Sequence, residues 1–509
     1  VTRTIRAFVC VLVACFVTLI LWPWITRLPP AAIDDDGYFY ATIAYHAGVD
    51  GLFSFDGIHP TDGFHLLWGY LLAGGSFLLS WITTARGPHL YLSCVLSVAT
   101  MALIADLFGR RPADKVLLFG LGMMGMLLLE THLLALLMLA LVVPNASRAG
   151  FHASPVRYAL LAAAISLTRI DATIVSLTWA ACLMFAGHRR LASAVAAGAV
   201  AGAALQLGLN WLTAGAWFSV AADIKATRAL GRGARFVYWT YPGRRLVMWL
   251  LLVTSLVAVW RHARVTGDRH PLFAWCAIAA FAIPHLLLVM RPWYFVPGFL
   301  GWTAVLLALR DISPPATARF ARAGLAVAWL GLVAFVVYEI AVIPRFREEA
   351  RAIEDFVKDV QRIVPPGSPI YQIDGSGYIG FFSERPIVNG DGLVNTHEYA
   401  ARTREGRLAG YLDEEGIEYI ITNRVLTSPA IVDRGGLVVL AHEVDELARK
   451  RGPVVYPYTN FRLFRRRSVG QAGRPDLRGA VSAGWVRPAC RRPAGQVSKS
   501  EVAAPRPRG

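Results

Sequence analysis

Three adjacent carboxylates, Asp34, Asp35 and Asp36, follow the Pro29 and Pro30 that stop the first apolar run. Beside a membrane such a cluster must be solvated or paired. It reads either as a negative, outward-facing loop start or as part of a site at the membrane surface. Unlike charges recur inside later apolar runs: Glu130 within 115–143, and Arg169 with Asp171 within 158–187. Glu130 reads as a helix-turn partner, a catalytic group or a metal ligand, which makes a divalent cation the candidate cofactor. Arg169 and Asp171 read as an ion pair orienting two short helices, or as part of a polar substrate pocket. The stretch 213–245 carries Lys225, Arg228, Arg232, Arg235, Arg244 and Arg245 among Trp217, Phe236, Tyr238 and Trp239. Such cations suit lipid head groups, or a phosphate whose charge builds as it departs. Tyr40, His65, Trp68, Trp293 and Tyr294 add rings that suit a sugar face or a membrane interface.

The elements that must position these residues are mostly apolar. Hydrophobic residues make up 55% of the 509 and charged residues only 17%, with a mean hydropathy of +0.47. A water-soluble chain of this size carries more charge, so a polytopic membrane protein is expected. Arg3 and Arg6 precede an apolar run at 7–25, read as a retained signal anchor with its start in the cytoplasm. Residues 26–65 then form an outer loop. Further runs lie at 66–84, 90–108, 115–143, 158–187, 191–212, 246–261, 271–289, 293–309 and 321–343. If 66–84 is a helix along the outer surface, the basic loops around Arg110, Arg148, Arg189, Arg261 and Arg310 all face the cytoplasm. Splitting 115–143 and 158–187 into hairpins gives eleven spans and keeps Glu130, Arg169 and Asp171 away from the bilayer centre. Leaving them whole gives nine.

After 343 the composition changes. Residues 344–468 carry ordinary charge density, with helical spacing at 346–364 and 398–412 and strand patterns at 369–373, 418–422, 436–440 and 460–464. The expected architecture is a multi-span α-helical membrane domain at 1–343 and an extracytoplasmic α/β domain at 344–468. A disordered basic tail is expected at 469–509. That tail explains much of the net charge of +17, since 465–509 holds eleven basic and two acidic residues. The basic excess is therefore not read as nucleic-acid binding. Five of the six cysteines lie in apolar runs and none forms a CxxC pair, so neither zinc nor a disulfide framework is expected. Gly375, Gly377 and Gly380 match a dinucleotide fingerprint by spacing alone. No amphipathic helix is expected after them, and they read as turns.

The outer loop runs DDDGYFYATIA, then FSFDG, then PTDGFHLLW. It resembles the first outer loop of the GT-C superfamily of membrane glycosyltransferases, nearest a bacterial branch reading roughly DDAYYY, FDG and TNGFHPLW. More distantly it is similar to protein O-mannosyltransferases, aminoarabinose transferases and arabinofuranosyltransferases. Gly37 for Ala, Asp62 for Asn and Leu66 for Pro depart from the pattern. Further matches are Gly125 and Met126 with Glu130, the LTRID at 167–171, Asn210 with Ser219 and Lys225, the RPWYFVP at 291–297, and the DGLVN at 391–395.

The resemblance implies transfer of a sugar from a polyprenyl-monophosphate donor to an envelope glycan, lipid or protein, with inversion, at the outer face of the cytoplasmic membrane. An acid after the first span, Asp35 or Asp36, would act as base, and Lys225, Arg228 and Arg232 would bind the donor phosphate. Tyr40, His65, Trp68, Glu130, Arg169, Asp171, Trp293 and Tyr294 would line the pocket. The competing reading is a lipid-linked saccharide flippase without transferase activity. Its polar groups should gather near the midplane, whereas here they gather towards one face.

Overall fold

The computed structural model describes residues 3–27, 33–125, 127–143, 154–231, 242–288, 292–423, 444–449 and 461–466. Arg232, the expected strand at 436–440 and the expected tail at 469–509 lie outside them. Among the described residues five helices are long and apolar enough to cross a membrane: Arg86–Phe108, Arg189–Ala214, Arg245–Thr266, His270–Leu287 and Pro315–Val342. Shorter apolar helices accompany them, among them Leu66–Ser80 and Thr131–Val142. The chain is a multi-span helical membrane protein. Leu66–Ser80 has 15 residues, so it extends about 22 Å, less than a hydrocarbon core of about 30 Å.

Both long apolar runs divide. The first becomes Pro112–Met123 and Thr131–Val142. The second becomes Pro155–Thr168 and Thr173–Phe185 with a 3₁₀ turn, Ile170–Ala172, between them. Glu130 and Arg169 thus sit at helix ends, where an irregular backbone leaves room for polar partners. Within the bundle, small residues let backbones touch. A Cβ on Gly198 would lie 2.1 Å from the Ala159 carbonyl oxygen, and one on Gly202 2.4 Å from that of Ala163. Lipid tails are as apolar as leucine, so close contact of this kind is what holds two such helices together.

Asp35–Val49 is a helix whose aromatic side chains turn into the protein. Tyr38, Phe39, Tyr40, Ala41, Ile43 and Ala44 are all buried. Leu66, Trp68 and Leu72 of the next helix pack with Phe39, Tyr40 and Ile43 in one core cluster, together with Ile353, Phe356, Ile370, Ile379 and Val394 from the C-terminal part.

That part begins inside a helix. The last span and the expected helix at 346–364 are one element, Pro315–Ile363, which accommodates Pro344 in its interior. A five-stranded sheet follows in the order β2-β1-β3-β5-β4, where β1 is Ile370–Gln372, β2 Ile387–Asn389, β3 Tyr419–Thr422, β4 Val444–Arg449 and β5 Arg462–Arg466. β1 pairs in parallel with β2 and β3, and β5 runs antiparallel to β3 and β4. Side chains alternate between two cores. Ile370, Tyr419, Ile421 and Leu463 face the long helix and outer loop, while Tyr371, Ile420 and Phe464 face Tyr399, Leu408 and Leu412. The single helix expected at 398–412 is two, His397–Arg404 and Leu408–Glu414, because Gly406 turns the chain at φ +73°.

The Gly375 pattern is also corrected. An eight-residue helix, Ser376–Ser383, does follow it, with Gly375 in the left-handed region at φ +69°. Its N-terminus is nonetheless closed to a nucleotide, because a protein carboxylate already fills it.

Candidate active site

That carboxylate is Asp35. Its Oδ1 accepts the backbone N–H of Gly377 at 2.7 Å and of Tyr378 at 3.3 Å. A carboxyl oxygen there satisfies orphan donors of the helix. Arg86 closes the other end, donating to the carbonyls of Gly380 and Phe381 at 2.9 and 2.7 Å. Gly377 is required for the approach, since a Cβ on it would lie 2.1 Å from the Asp35 carbonyl oxygen. Desolvation in this packed contact pushes the Asp35 carboxyl well above the usual range, with the charges of Asp36 and Asp34 adding to it.

Asp36 turns elsewhere. It lines a cleft with Tyr40, His65, Glu130, Lys225 and Tyr294. Phe39, Ile43 and Leu129 supply apolar wall, and Leu393 and Val394 close it from the C-terminal side. A loop near the start of the chain, two helix turns and a turn near residue 390 therefore build one concave site of mixed polarity, as a binding site requires.

Behind the cleft runs a polar chain, buried at Arg169 and Glu130. Arg169 donates through Nη1 to Glu130 Oε1 at 2.7 Å, and through Nε and Nη2 to Asp171 at 3.0 and 2.7 Å. His285 Nε2 meets the same Asp171 at 3.1 Å. The guanidinium also covers the Tyr294 ring, 4.5 Å from its centroid. Tyr40 donates its hydroxyl to Glu130 Oε2 at 2.9 Å and is hydrogen-bonded to His65 Nδ1. His65 is held to a pKa of about 4, foremost by burial and further by the positive charges of Arg169 and Lys225. On the far wall Lys225 Nζ reaches the Tyr294 hydroxyl at 3.5 Å.

Local structure fixes the Glu130 turn. Leu128 takes a left-handed φ of +72°, a conformation that costs a non-glycine residue about 1–2 kcal/mol. Both its backbone polar groups are occupied. Its N–H donates to Ser97 Oγ at 3.0 Å, and its carbonyl accepts from Trp68 Nε1 at 2.6 Å. Trp68 is fully buried, so it braces the turn from behind and does not line the cleft. Gly37 packs between Ile33 and the same turn, where a Cβ would lie 2.7 Å from Ile33 Cγ2 and 3.0 Å from the Leu127 carbonyl oxygen. That contact explains the glycine in place of alanine.

Asp62 ties the Lys225 helix, Val220–Gly231, to the rest. Its Oδ1 accepts the Val220 N–H at 3.0 Å and its Oδ2 meets His397 Nε2 at 3.1 Å. Gly63 lets the outer loop touch the 391–395 turn, since a Cβ there would lie 2.0 Å from the Leu393 carbonyl oxygen.

The structure thus gathers Asp36, Tyr40, His65, Glu130, Lys225 and Tyr294 around one cleft. Arg169 and Asp171 stand behind it as supports, and Asp35 and Trp68 serve packing contacts. The side chains of Arg228 and Trp293 lie outside the described residues. Glu130, the candidate metal ligand, has its oxygens engaged by Arg169 and Tyr40. Among the described residues no group of three or more His, Cys, Asp and Glu is arranged to hold a metal ion. Ser97, His285 and Arg86 went unnoticed in the sequence, because a serine or arginine on an apolar helix gives no local sign of its partner.

By sequence the chain matches no family model and none of the curated proteins. By structure it is similar to ArnT from Cupriavidus metallidurans bound to undecaprenyl phosphate, with a TM-score of 0.54 and 13% identity over 89% of this chain and 97% of that one. Apo ArnT from the same organism gives 0.55 and 12% over the same shares. The fold is of the GT-C type. An oligosaccharyltransferase from Archaeoglobus fulgidus, in complex with an inhibitory peptide and a dolichol-phosphate, is more distant at 0.45 and 12% identity, over 92% of this chain and 75% of that one. Within this fold, the loop after the first helix and the turn before Thr131–Val142 pack in one core cluster with residues of the C-terminal sheet.

Proposed function

We propose that the protein is a glycosyltransferase that moves a sugar from a polyprenyl-monophosphate donor to a hydroxyl acceptor. The acceptor is an envelope glycan, lipid or protein at the outer face of the cytoplasmic membrane. The observation that carries this reading is the sharing of one cleft by Asp36, Lys225 and Tyr294. A carboxylate and a cation thereby line one cleft in a fold like that of ArnT. The basic loops at the opposite helix ends support the orientation.

In this mechanism the acceptor O–H gives its proton to Asp36 as its oxygen bonds the anomeric carbon. The bond from that carbon to the phosphate oxygen breaks, and its electron pair leaves with the polyprenyl phosphate. A single displacement inverts the anomeric configuration. Lys225 and the Tyr294 hydroxyl hold the phosphate and neutralise its growing charge, with Arg228 and Arg232 following on the same segment. Arg169 is engaged by two carboxylates, so its part is to fix Glu130 and Tyr294.

The test compares Asp36→Asn with Asp35→Asn, each purified in lipid nanodiscs and supplied with polyprenyl-phosphate sugars. Asp36→Asn should lower turnover by about 10²–10⁴ while the protein stays folded. Asp35→Asn keeps an oxygen for the Gly377 and Tyr378 donors and should retain most activity. Full turnover in Asp36→Asn would overturn the assignment.

A further inference from the structure

We infer that His65 is a neutral hydrogen-bond acceptor whose bare Nε2 faces the cleft and takes a hydroxyl of the transferred sugar. The inference rests on the glycosyltransferase reading above, and its argument is a count of protons along the buried chain.

Arg169 is always protonated and places Nη1 2.7 Å from Glu130 Oε1, so Glu130 is a carboxylate with nothing to donate. Its Oε2 lies 2.9 Å from the Tyr40 hydroxyl, whose one proton must go there. The Tyr40 oxygen is then an acceptor, and its remaining neighbour, His65 Nδ1, must carry a hydrogen. Nδ1 also lies 3.5 Å from Glu130 Oε2, which favours the same tautomer. A neutral imidazole with its proton on Nδ1 leaves a lone pair on Nε2. Among the described residues that nitrogen has no protein partner. The side chain lines the cleft and is 28% exposed.

Lone-pair acceptors on this wall suit a ring bearing hydroxyl groups. The cationic Lys225 on the same cleft opposes an added positive charge. Asp36 remains the base, because an imidazole flanked by Arg169 and Lys225 resists taking a proton. The role of His65 is therefore to bind and orient the sugar. A sequence cannot assign this, since the tautomer is fixed by residues 25 and 65 positions away.

Two measurements test it. The first is ¹⁵N NMR of the full chain labelled at histidine, with His65→Asn identifying the signal. Nε2 should be of the unprotonated type and Nδ1 of the protonated type. The reverse would overturn the inference, whatever the reaction.

The second is binding in nanodiscs. The probes are bare undecaprenyl phosphate and undecaprenyl phosphates carrying mannose, glucose, galactose or arabinofuranose. His65→Asn keeps a donor for Tyr40 and removes Nε2, whereas His65→Gln extends a terminal amide towards the Nε2 position. His65→Asn should weaken the best sugar-bearing lipid about tenfold, leave the bare lipid unchanged, and be partly rescued in His65→Gln. Equal loss for both lipids, or none, would overturn the role. Failure of the wild type to bind even the bare lipid would instead sink the glycosyltransferase reading and leave the tautomer result standing.

Discussion

Two arginine–carboxylate networks occupy opposite ends of the same helices. Pro112–Met123 carries Asp114 in its first turn and leads towards the Glu130 turn, and Val296–Ile312 begins beside Tyr294 and carries Arg310 in its last turn. At one end Arg310 grips Asp114 with two bonds of 2.7 and 2.9 Å and Asp311 with a third of 2.9 Å. At the other, Arg169 joins Glu130 and Asp171. Burial does not distinguish them, for Arg310 and Asp114 are 12% and 5% exposed and Arg169 and Glu130 are 7% and 3% exposed. The difference lies in what the carboxylate meets next. Asp114 turns to the backbone N–H of Arg111, and the network closes on itself as a clamp. Glu130 turns to Tyr40 and, through it, to His65 on an open cleft. An ion pair becomes part of a site when it polarises neutral groups that reach a cavity.

The largest expected effect sharpens that contrast. Glu130→Gln and Asp114→Asn each remove one of an arginine's two carboxylate partners, and breaking a buried pair costs at most roughly 3–5 kcal/mol. Both should lower the melting temperature in nanodiscs. Transferase activity per folded molecule should fall about 10²-fold or more in Glu130→Gln and stay near wild type in Asp114→Asn. Equal activity losses would erase the distinction between clamp and site.

A smaller effect is expected where the turn is braced. Ser97→Ala removes the acceptor for the Leu128 N–H, and an unsatisfied buried donor costs about 1–3 kcal/mol. Thermal denaturation should register the loss, and KM should rise as Glu130 drifts from Tyr40.

Removing the Asp35 cap, by Asp35→Ala, should cost about 1 kcal/mol. It should also speed hydrogen exchange at the Ser376–Ser383 helix before any other segment. Uniform exchange across the molecule would argue against a local cap.

The smallest effect concerns pH. His59 sits between Asp56 at 2.7 Å and Glu415 at 2.9 Å. Its hydrogen bond to Asp56, opposed by partial burial, raises its pKa to about 9. A raised folded pKa stabilises fully below the unfolded value of about 6.5 and fades as pH rises through the folded one. Stability should therefore decline between about pH 6.5 and 9, and His59→Gln should flatten that decline. An unchanged slope would remove His59 from the contact between outer loop and C-terminal part.

Much of the architecture was legible in the residues themselves. Runs of apolar side chains the length of a bilayer must become helices, because only a helix pairs all its backbone polar groups within a single segment in lipid. Glu130, Arg169 and Asp171 marked where two of those runs break, since charge at the bilayer centre is costly. The residue types around the cleft were legible too. Their division of labour was not. Asp35 and Asp36 are alike in composition and adjacent in sequence, yet successive helical residues point about 100° apart. One must face the Ser376 helix while the other faces the cleft, and only packing against the C-terminal part decides which. The same holds for Trp68, a buried brace, and for His65, whose proton is placed by Tyr40, Glu130 and Arg169. A side chain's chemistry belongs to the sequence, but its protonation and direction belong to neighbours that the folded chain brings from far away.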